Sequence, residues 1–238
     1  VHPPLEDVDA DWVERTLESL TLDEKIGQMI WSCLVEAGEY LLENYHVGGF
    51  YMLGNCQRAQ DVVATVERLQ PLAKVPLLFT LDAEAGLGAR VFDATIFPTN
   101  MAFGAANDEE LSEECGRITA REARALGVHV PFAPCVDVNT EPRNPIIATR
   151  SAGSDPERVS RLARAFIRGC RAEGGLTGLK HYPGHGMSAG DSHDITPAVD
   201  ASPEEMRDIH LRPFREILAG DGADMVMTAH LWYRNVEP

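Results

Sequence analysis

The sequence predicts an α/β protein built on parallel strands, specifically a (β/α)8 barrel of the TIM type with about six of its eight strands present. Three observations carry this. Short apolar runs alternate with amphipathic helical stretches along the whole chain. The runs are apolar through their length, as suits strands covered by helices. Polar residues collect at the C-terminal ends of the runs, at Asp82, Asp137, Lys180-His181 and His230, and in barrels that edge carries the chemistry.

The elements follow in order. A helix is expected from about Asp9 to Leu20. Thr21-Leu22-Asp23-Glu24 then makes a capping box, in which Thr21 caps the first turn and Glu24 reaches back to it. Strands are expected at Met29 to Leu34, Val47 to Leu53, Pro76 to Leu81, Val128 to Val138, Gly178 to His181 and Met225 to His230. Helices are expected at Ala59 to Leu72, Asp108 to Leu126, Pro156 to Glu173 and Pro203 to Leu218. Asp155-Pro156 and Ser202-Pro203 each set a capping side chain before a proline at the first helical position. A doubly wound open sheet would also fit, but no G-x-G-x-x-G follows the first strand, so its nucleotide-binding version has no support. No linker or low-complexity segment divides the chain, which reads as one domain over residues 1–238.

Composition narrows the function. A net charge of −16 argues against a nucleic-acid partner, which needs clustered Lys and Arg. No apolar run is long enough to span a membrane, and the polar stretch from Val1 to Asp11 lacks the apolar core of a signal peptide. The five cysteines, Cys33, Cys56, Cys115, Cys135 and Cys170, are odd in number and widely spaced, with no C-x-x-C. That suits a reducing compartment, so a cytoplasmic location is expected; since the chain does not begin with Met, a secreted protein stays open.

The segment richest in chemistry is Lys180-His181-Tyr182-Pro183-Gly184-His185-Gly186, followed by Asp191-Ser192-His193. Pro183, Gly184 and Gly186 end the strand and open a loop. In that loop an Asp stands two residues before a His. The carboxylate can hold one imidazole nitrogen, fix the tautomer and stabilise the imidazolium, leaving the other nitrogen to pass a proton. A structural loop histidine is the alternative. His181, His185, His193 and Asp191 also offer zinc ligands, but H-x-x-x-H needs a helix to face both rings one way, and Pro183-Gly184 forbids a regular one. No metal or cofactor is therefore expected.

Lys-His-aromatic-Pro-Gly-His-Gly, then four residues, then Asp-Ser-His resembles the signature of the family 3 glycoside hydrolases, in their bacterial β-N-acetylglucosaminidase branch. Leu81-Asp82-Ala83-Glu84-Ala85-Gly86 is similar to the family's Asp-x-Glu-Gly-Gly stretch, and Arg90 falls where a family arginine lies. Phe97-Pro98-Thr99-Asn100, Phe132-Ala133-Pro134-Cys135-Val136-Asp137-Val138-Asn139, Thr149-Arg150-Ser151 and Met227-Thr228-Ala229-His230 continue the likeness in collinear order.

The resemblance implies the N-terminal barrel domain of a retaining glycosidase acting on terminal β-linked N-acetylglucosamine, with a muramic-acid-containing cell-wall fragment as substrate. His193 would be the general acid/base and Asp191 its orienting partner. Asp82, Arg90, Arg150, Lys180 and His181 would hold the sugar, with Arg150 and Lys180 making the pocket locally positive. His185, His230 and Asp137 are expected to support loops. Lys180 and His181, being adjacent, can reach one sugar only if the strand ends there.

Some positions depart from the family. Met187-Ser188 stands in place of the branch's usual Asp-Thr, Ala85 in place of a glycine and Leu87 in place of a common arginine. The family's nucleophilic aspartate belongs to a seventh strand, so it is expected beyond Pro238, and this chain alone is expected to show little activity. A non-catalytic sugar-binding domain or inactive fragment is the alternative from another class. Phosphorolysis is a further one, since a neutral histidine repels phosphate less than a carboxylate does.

Overall fold

The computed structural model describes residues 10–34, 37–52, 57–193 and 196–236. Asp9, Leu53, Cys56 and Pro238, singled out above, lie outside them.

The strands are β1 (Trp31–Cys33), β2 (Gly49–Tyr51), β3 (Leu78–Leu81), β4 (Val130–Pro131), β5 (Gly178–Tyr182), β6 (Ala198–Val199), β7 (Met225–Thr228) and β8 (Trp232–Tyr233). The α-helices are α1 (Ala10–Ser19), α2 (Leu22–Gln28), α3 (Gly38–Tyr45), α4 (Ala59–Leu69), α5 (Asn100–Ala106), α6 (Glu109–Ala125), α7 (Pro156–Ala172), α8 (Pro203–Glu205) and α9 (Arg212–Ala219). Strands β1, β2, β3 and β4 form one parallel sheet in that order. A parallel bridge from Cys135 to Lys180 carries the array on to β5, which pairs in parallel with β7. Strands β6 and β8 make a separate parallel pair.

Local chemistry explains the helix starts. Thr21 and Glu24 complete the capping box of α2 in both directions. Asp155 accepts from the Glu157 backbone at the start of α7, and Ser202 with Glu205 repeats the box at α8. The expected helix from Pro203 to Leu218 is interrupted by a wide turn at Met206–His210 before α9. Pro213 contributes no N–H to a continuing helix. Helices α3 and α5 were not expected. Each ends on a left-handed residue, His46 or Asn107, and neither carries a side-chain cap.

The expected strand from Val128 to Val138 is also broken. Pro131 and Pro134 cannot donate to a ladder. The segment instead changes partner along its length: Phe132 N–H donates to Leu81 at 2.8 Å, and Val136 N–H donates to Lys180 at 2.9 Å. This hand-over brings Asp137 under the end of β5.

Helices α6 and α7 pack at very close range. A Cβ at Gly169 would lie 1.9 Å from the Glu113 carbonyl oxygen, and one at Gly116 would lie 2.1 Å from that of Phe166. One apolar core gathers Phe50, Phe79, Leu81 and Val62 around β2, β3 and α4; another gathers Val136, Ile167, Leu179, Phe214 and Ile217 between β5, α7 and α9. Among the described cysteines, Cys115, Cys135 and Cys170 are buried free thiols and Cys33 is exposed. Among the described residues, no helix is long and apolar enough to cross a membrane.

Candidate functional site

The site lies at the C-terminal ends of β2, β3 and β5 and in the loops that follow them. Lys180, on β5, is 1% exposed. A buried ammonium needs counter-charges, and it has two: Asp82 Oδ1 at 2.7 Å and Glu84 Oε1 at 2.5 Å. Asp82 Oδ2 accepts from Tyr51 Oη at 2.5 Å and from Arg90 Nη2 at 3.4 Å. Burial alone would raise the Asp82 carboxyl, but the Lys180 ammonium, joined by the Tyr51 hydroxyl and Arg90, outweighs it and holds it at about 2. Glu84 takes Arg150 bidentately, Nε at 2.9 Å and Nη2 at 2.7 Å. Against the cost of its burial, Arg150 and Lys180 keep its carboxyl below the usual range.

Beneath this layer sits Asp137, fully buried. It accepts His181 Nδ1 at 2.7 Å, the His185 backbone N–H at 2.6 Å and the Cys135 thiol at 3.2 Å. These donors, His181 foremost, overcome the burial penalty and lower its carboxyl. Arg150 Nη2 lies 3.3 Å from His181 Nε2. A guanidinium only donates. Nε2 therefore presents its lone pair, and Nδ1–H donates to Asp137, which defines a neutral imidazole in one tautomer. Lys180 and His181 both reach the site because the register with β7 shifts between Lys180 and Tyr182. A bulge of this kind re-aims a side chain out of the regular alternation.

The Asp191–His193 turn flanks the cleft. Asp191 Oδ1 accepts the His193 backbone N–H at 2.8 Å and faces His193 Nδ1 at 2.8 Å. That backbone N–H is the main reason the Asp191 carboxyl lies below its ordinary value, with the His193 ring adding to it. The His193 side chain is 75% exposed. It shares the rim of one cleft with Asp82, Glu84, Arg90 and Arg150. It also borders a second, of about 460 Å³, with Tyr51, Phe132, Lys180, His181 and His230. That volume falls in the usual range for small-ligand sites.

The structure thus brings Asp82, Arg90, Arg150, Lys180, His181, Asp191 and His193 to one region. Asp137 lies beneath it, fully buried, whereas His230 and the 2% exposed His185 border the larger cleft. The expected positive character is offset in large part by carboxylates: Arg90 pairs with Asp82, Arg150 with Glu84, and the buried Lys180 with both. Glu84 and Tyr51 were not singled out from sequence. Glu84 sits inside the quoted Asp82–Gly86 stretch, but nothing in the sequence signals Tyr51, which reaches Asp82 from the neighbouring strand.

The metal-ligand set weighed from sequence does not come together. Among the described residues, the group with suitable donor spacing is Cys135, Asp137 and His181. Its donors already bond one another, and the Arg150 guanidinium beside His181 disfavours a cation there.

A helix-flanked parallel array with a charge-paired cleft at its C-terminal edge defines the chain as an α/β protein of enzyme-like design. It belongs to glycosyl hydrolase family 3: the model of that family's N-terminal domain matches residues 21–238. A Cellulomonas fimi beta-N-acetylglucosaminidase/beta-glucosidase is 34% identical over 233 residues, covering 95% of this chain and 40% of that protein. The structure of a family 3 beta-N-acetylglucosaminidase from Paenibacillus sp. str. FPU-7 is 38% identical, with a TM-score of 0.86, over 92% of this chain and 44% of that one. A structure of the beta-glucoside phosphorylase BglX is 33% identical, with a TM-score of 0.88, over 96% of this chain and 41% of the other. The chain therefore spans less than half the length of each of these three relatives.

Proposed function

We propose that this chain is the single-domain (β/α)8 barrel portion of a retaining glycosidase that releases terminal β-linked N-acetylglucosamine, with cell-wall fragments as substrates. The observation that carries the reading is the Asp191–His193 pair, 2.8 Å apart, on the rim of a cleft lined by Asp82, Arg90 and Arg150. The names of the Cellulomonas and Paenibacillus relatives support the substrate class. Six parallel strands in sequence order with flanking helices support the barrel.

In this reading Asp82, Arg90, Arg150, Lys180 and His181 hold the sugar hydroxyls. His193 Nε2 protonates the departing oxygen as the glycosidic bond breaks, and then takes a proton from the incoming water. Asp191 holds Nδ1–H, so the ring presents one tautomer and its cationic form is stabilised. Asp82 and Glu84 are poor nucleophiles, because Lys180 and Arg150 occupy their oxygens. The nucleophile implied by the resemblance is an aspartate of a seventh strand.

A second reading, phosphorolysis, is favoured by the likeness to the beta-glucoside phosphorylase. The full-length protein should be incubated with an aryl β-N-acetylglucosaminide, with and without inorganic phosphate, and the products followed by NMR. N-acetylglucosamine released first as the β-anomer supports the hydrolase. A sugar 1-phosphate formed at the expense of the free sugar supports the phosphorylase. Binding of N-acetylglucosamine without turnover of any β-glycoside would leave a sugar-binding domain and overturn the enzymatic reading.

A further inference from the structure

The Asp191–His193 turn is joined to the body of the site through the residue between its two catalytic candidates. Ser192 Oγ lies 2.9 Å from His185 Nε2. Among the described residues, this is the hydrogen bond that ties the turn to the strand-end cluster; the others made by Asp191 and His193 are to each other. His185 is a fixed post. It is 2% exposed, its N–H donates to Asp137 at 2.6 Å and its carbonyl accepts Asn144 Nδ2 at 2.8 Å. Its ring meets the edge of the His181 ring at 5.9 Å.

The tautomer of His185 follows from its other nitrogen. Nδ1 is buried without a hydrogen-bond partner. A buried bare acceptor is tolerated better than a buried unpaired N–H. The proton therefore sits on Nε2 and donates to Ser192 Oγ, and the Ser192 hydroxyl keeps its own proton for the cleft that it borders.

We propose that His185 is a positioning residue: through Ser192 it latches the Asp191–His193 turn over the cleft and so sets where His193 can deliver its proton. The inference rests on the glycosidase reading given above. It differs from the expectation that His185 merely shapes a loop, because it ties one buried ring to proton delivery. His185 is not itself the acid or base in this reading, since Nε2 is engaged by Ser192 Oγ and Nδ1 is buried.

The test uses Ser192→Ala and His185→Leu in the full-length protein, with Ser192→Thr as the variant that keeps the hydroxyl. Turnover is measured on an alkyl β-N-acetylglucosaminide, whose leaving oxygen needs the proton, and on a nitrophenyl one, whose does not. Loss of one such bond should slow the alkyl substrate about 10-fold and the nitrophenyl substrate less than about 2-fold. Ser192→Thr should restore the alkyl rate, and Ser192→Ala should have no further effect in a His193→Ala background. Hydrogen exchange should rise in residues 187–193 of the Ser192→Ala protein and not elsewhere. Equal slowing of both substrates, effects additive with His193→Ala, or unchanged exchange in that segment would each overturn the latch. If His193→Ala alone spares the alkyl substrate, the acid/base assignment fails instead, and the exchange experiment still decides whether the latch exists.

Discussion

The Lys180 ammonium lies 2.7 Å from Asp82 Oδ1, across 98 residues of chain, and 2.5 Å from Glu84 Oε1, in a position 1% exposed to solvent. One cation from β5 thereby bridges two carboxylates at the end of β3, whose remaining charge Arg90 and Arg150 offset. Replacing Lys180 by Met leaves both carboxylates without this partner. Removing one member of a buried ion pair costs about 3–5 kcal/mol; Arg150 and Arg90 remain in place, so the lower end is expected, measured by urea unfolding. Asp82 also gives a pH signature. Its folded value of about 2 lies below its ordinary 3.8. Its stabilisation is thus complete above about pH 4 and lost as pH falls towards 2. In Lys180→Met, burial dominates, Asp82 titrates higher, and acid unfolding should begin at a higher pH. An unchanged acid transition would show that Lys180 does not set the Asp82 charge.

Asp137 should be the more sensitive carboxylate. Asparagine there keeps the shape but turns an NH2 group towards donors, against His181 Nδ1–H, the His185 N–H or the Cys135 thiol. A loss on the order of 3 kcal/mol is expected. In the 15N NMR spectrum of Asp137→Asn, His181 should lose the single neutral Nδ1–H tautomer of the parent. Retention of that tautomer would mean that Arg150, not Asp137, selects it.

His193→Ala should separate substrates by leaving group. General acid–base help is worth roughly 10²–10⁴-fold. A natural disaccharide should lose most of that, while a nitrophenyl glycoside loses little, because its leaving oxygen departs without a proton. Asp191→Ala should act in the same direction to a smaller extent. Equal losses on both substrates would make His193 a structural loop residue. His185 is then a poor substitute acid, since its Nε2 is held by Ser192 and its Nδ1 is buried.

Two histidines away from the cleft make the fold sensitive to mild acid. Burial lowers His210 from 6.5 to about 4, against the pull of Asp137 and Glu205. Burial, helped by Arg124, does the same for His129, whose Nδ1 accepts the Phe79 N–H at 3.1 Å. Both bind protons more readily when unfolded. Stability should therefore decline as pH falls from about 6.5 to 4, with no further contribution from either residue below that. Tm recorded across this range should show the slope. His210→Phe, which keeps a ring against Gly184, should flatten it. A slope as steep as the parent's would place its origin elsewhere.

How much of this was legible in the sequence depends on how local the cause is. Thr21 with Glu24, Asp155 with Pro156, and Ser202 with Pro203 announce their helices, because a cap is a contact over two or three residues. The core strands were found as apolar runs for a similar reason. Helices α3 and α5 gave no such notice, since they start without a side-chain cap.

By itself the sequence determined the parallel α/β pattern, the family signature from Lys180 to His193 and the identity of most residues around the cleft. Tertiary structure decided their electrical state. Whether Lys180 makes a positive pocket or a neutral one depends on Asp82 and Glu84, roughly a hundred residues away. The partner of Asp82 on β2, Tyr51, and the bond from His185 to Ser192 likewise exist only because the strand ends are brought together. Charges and hydrogen bonds act over a few ångströms in space, and separation along the chain says little about which groups will meet.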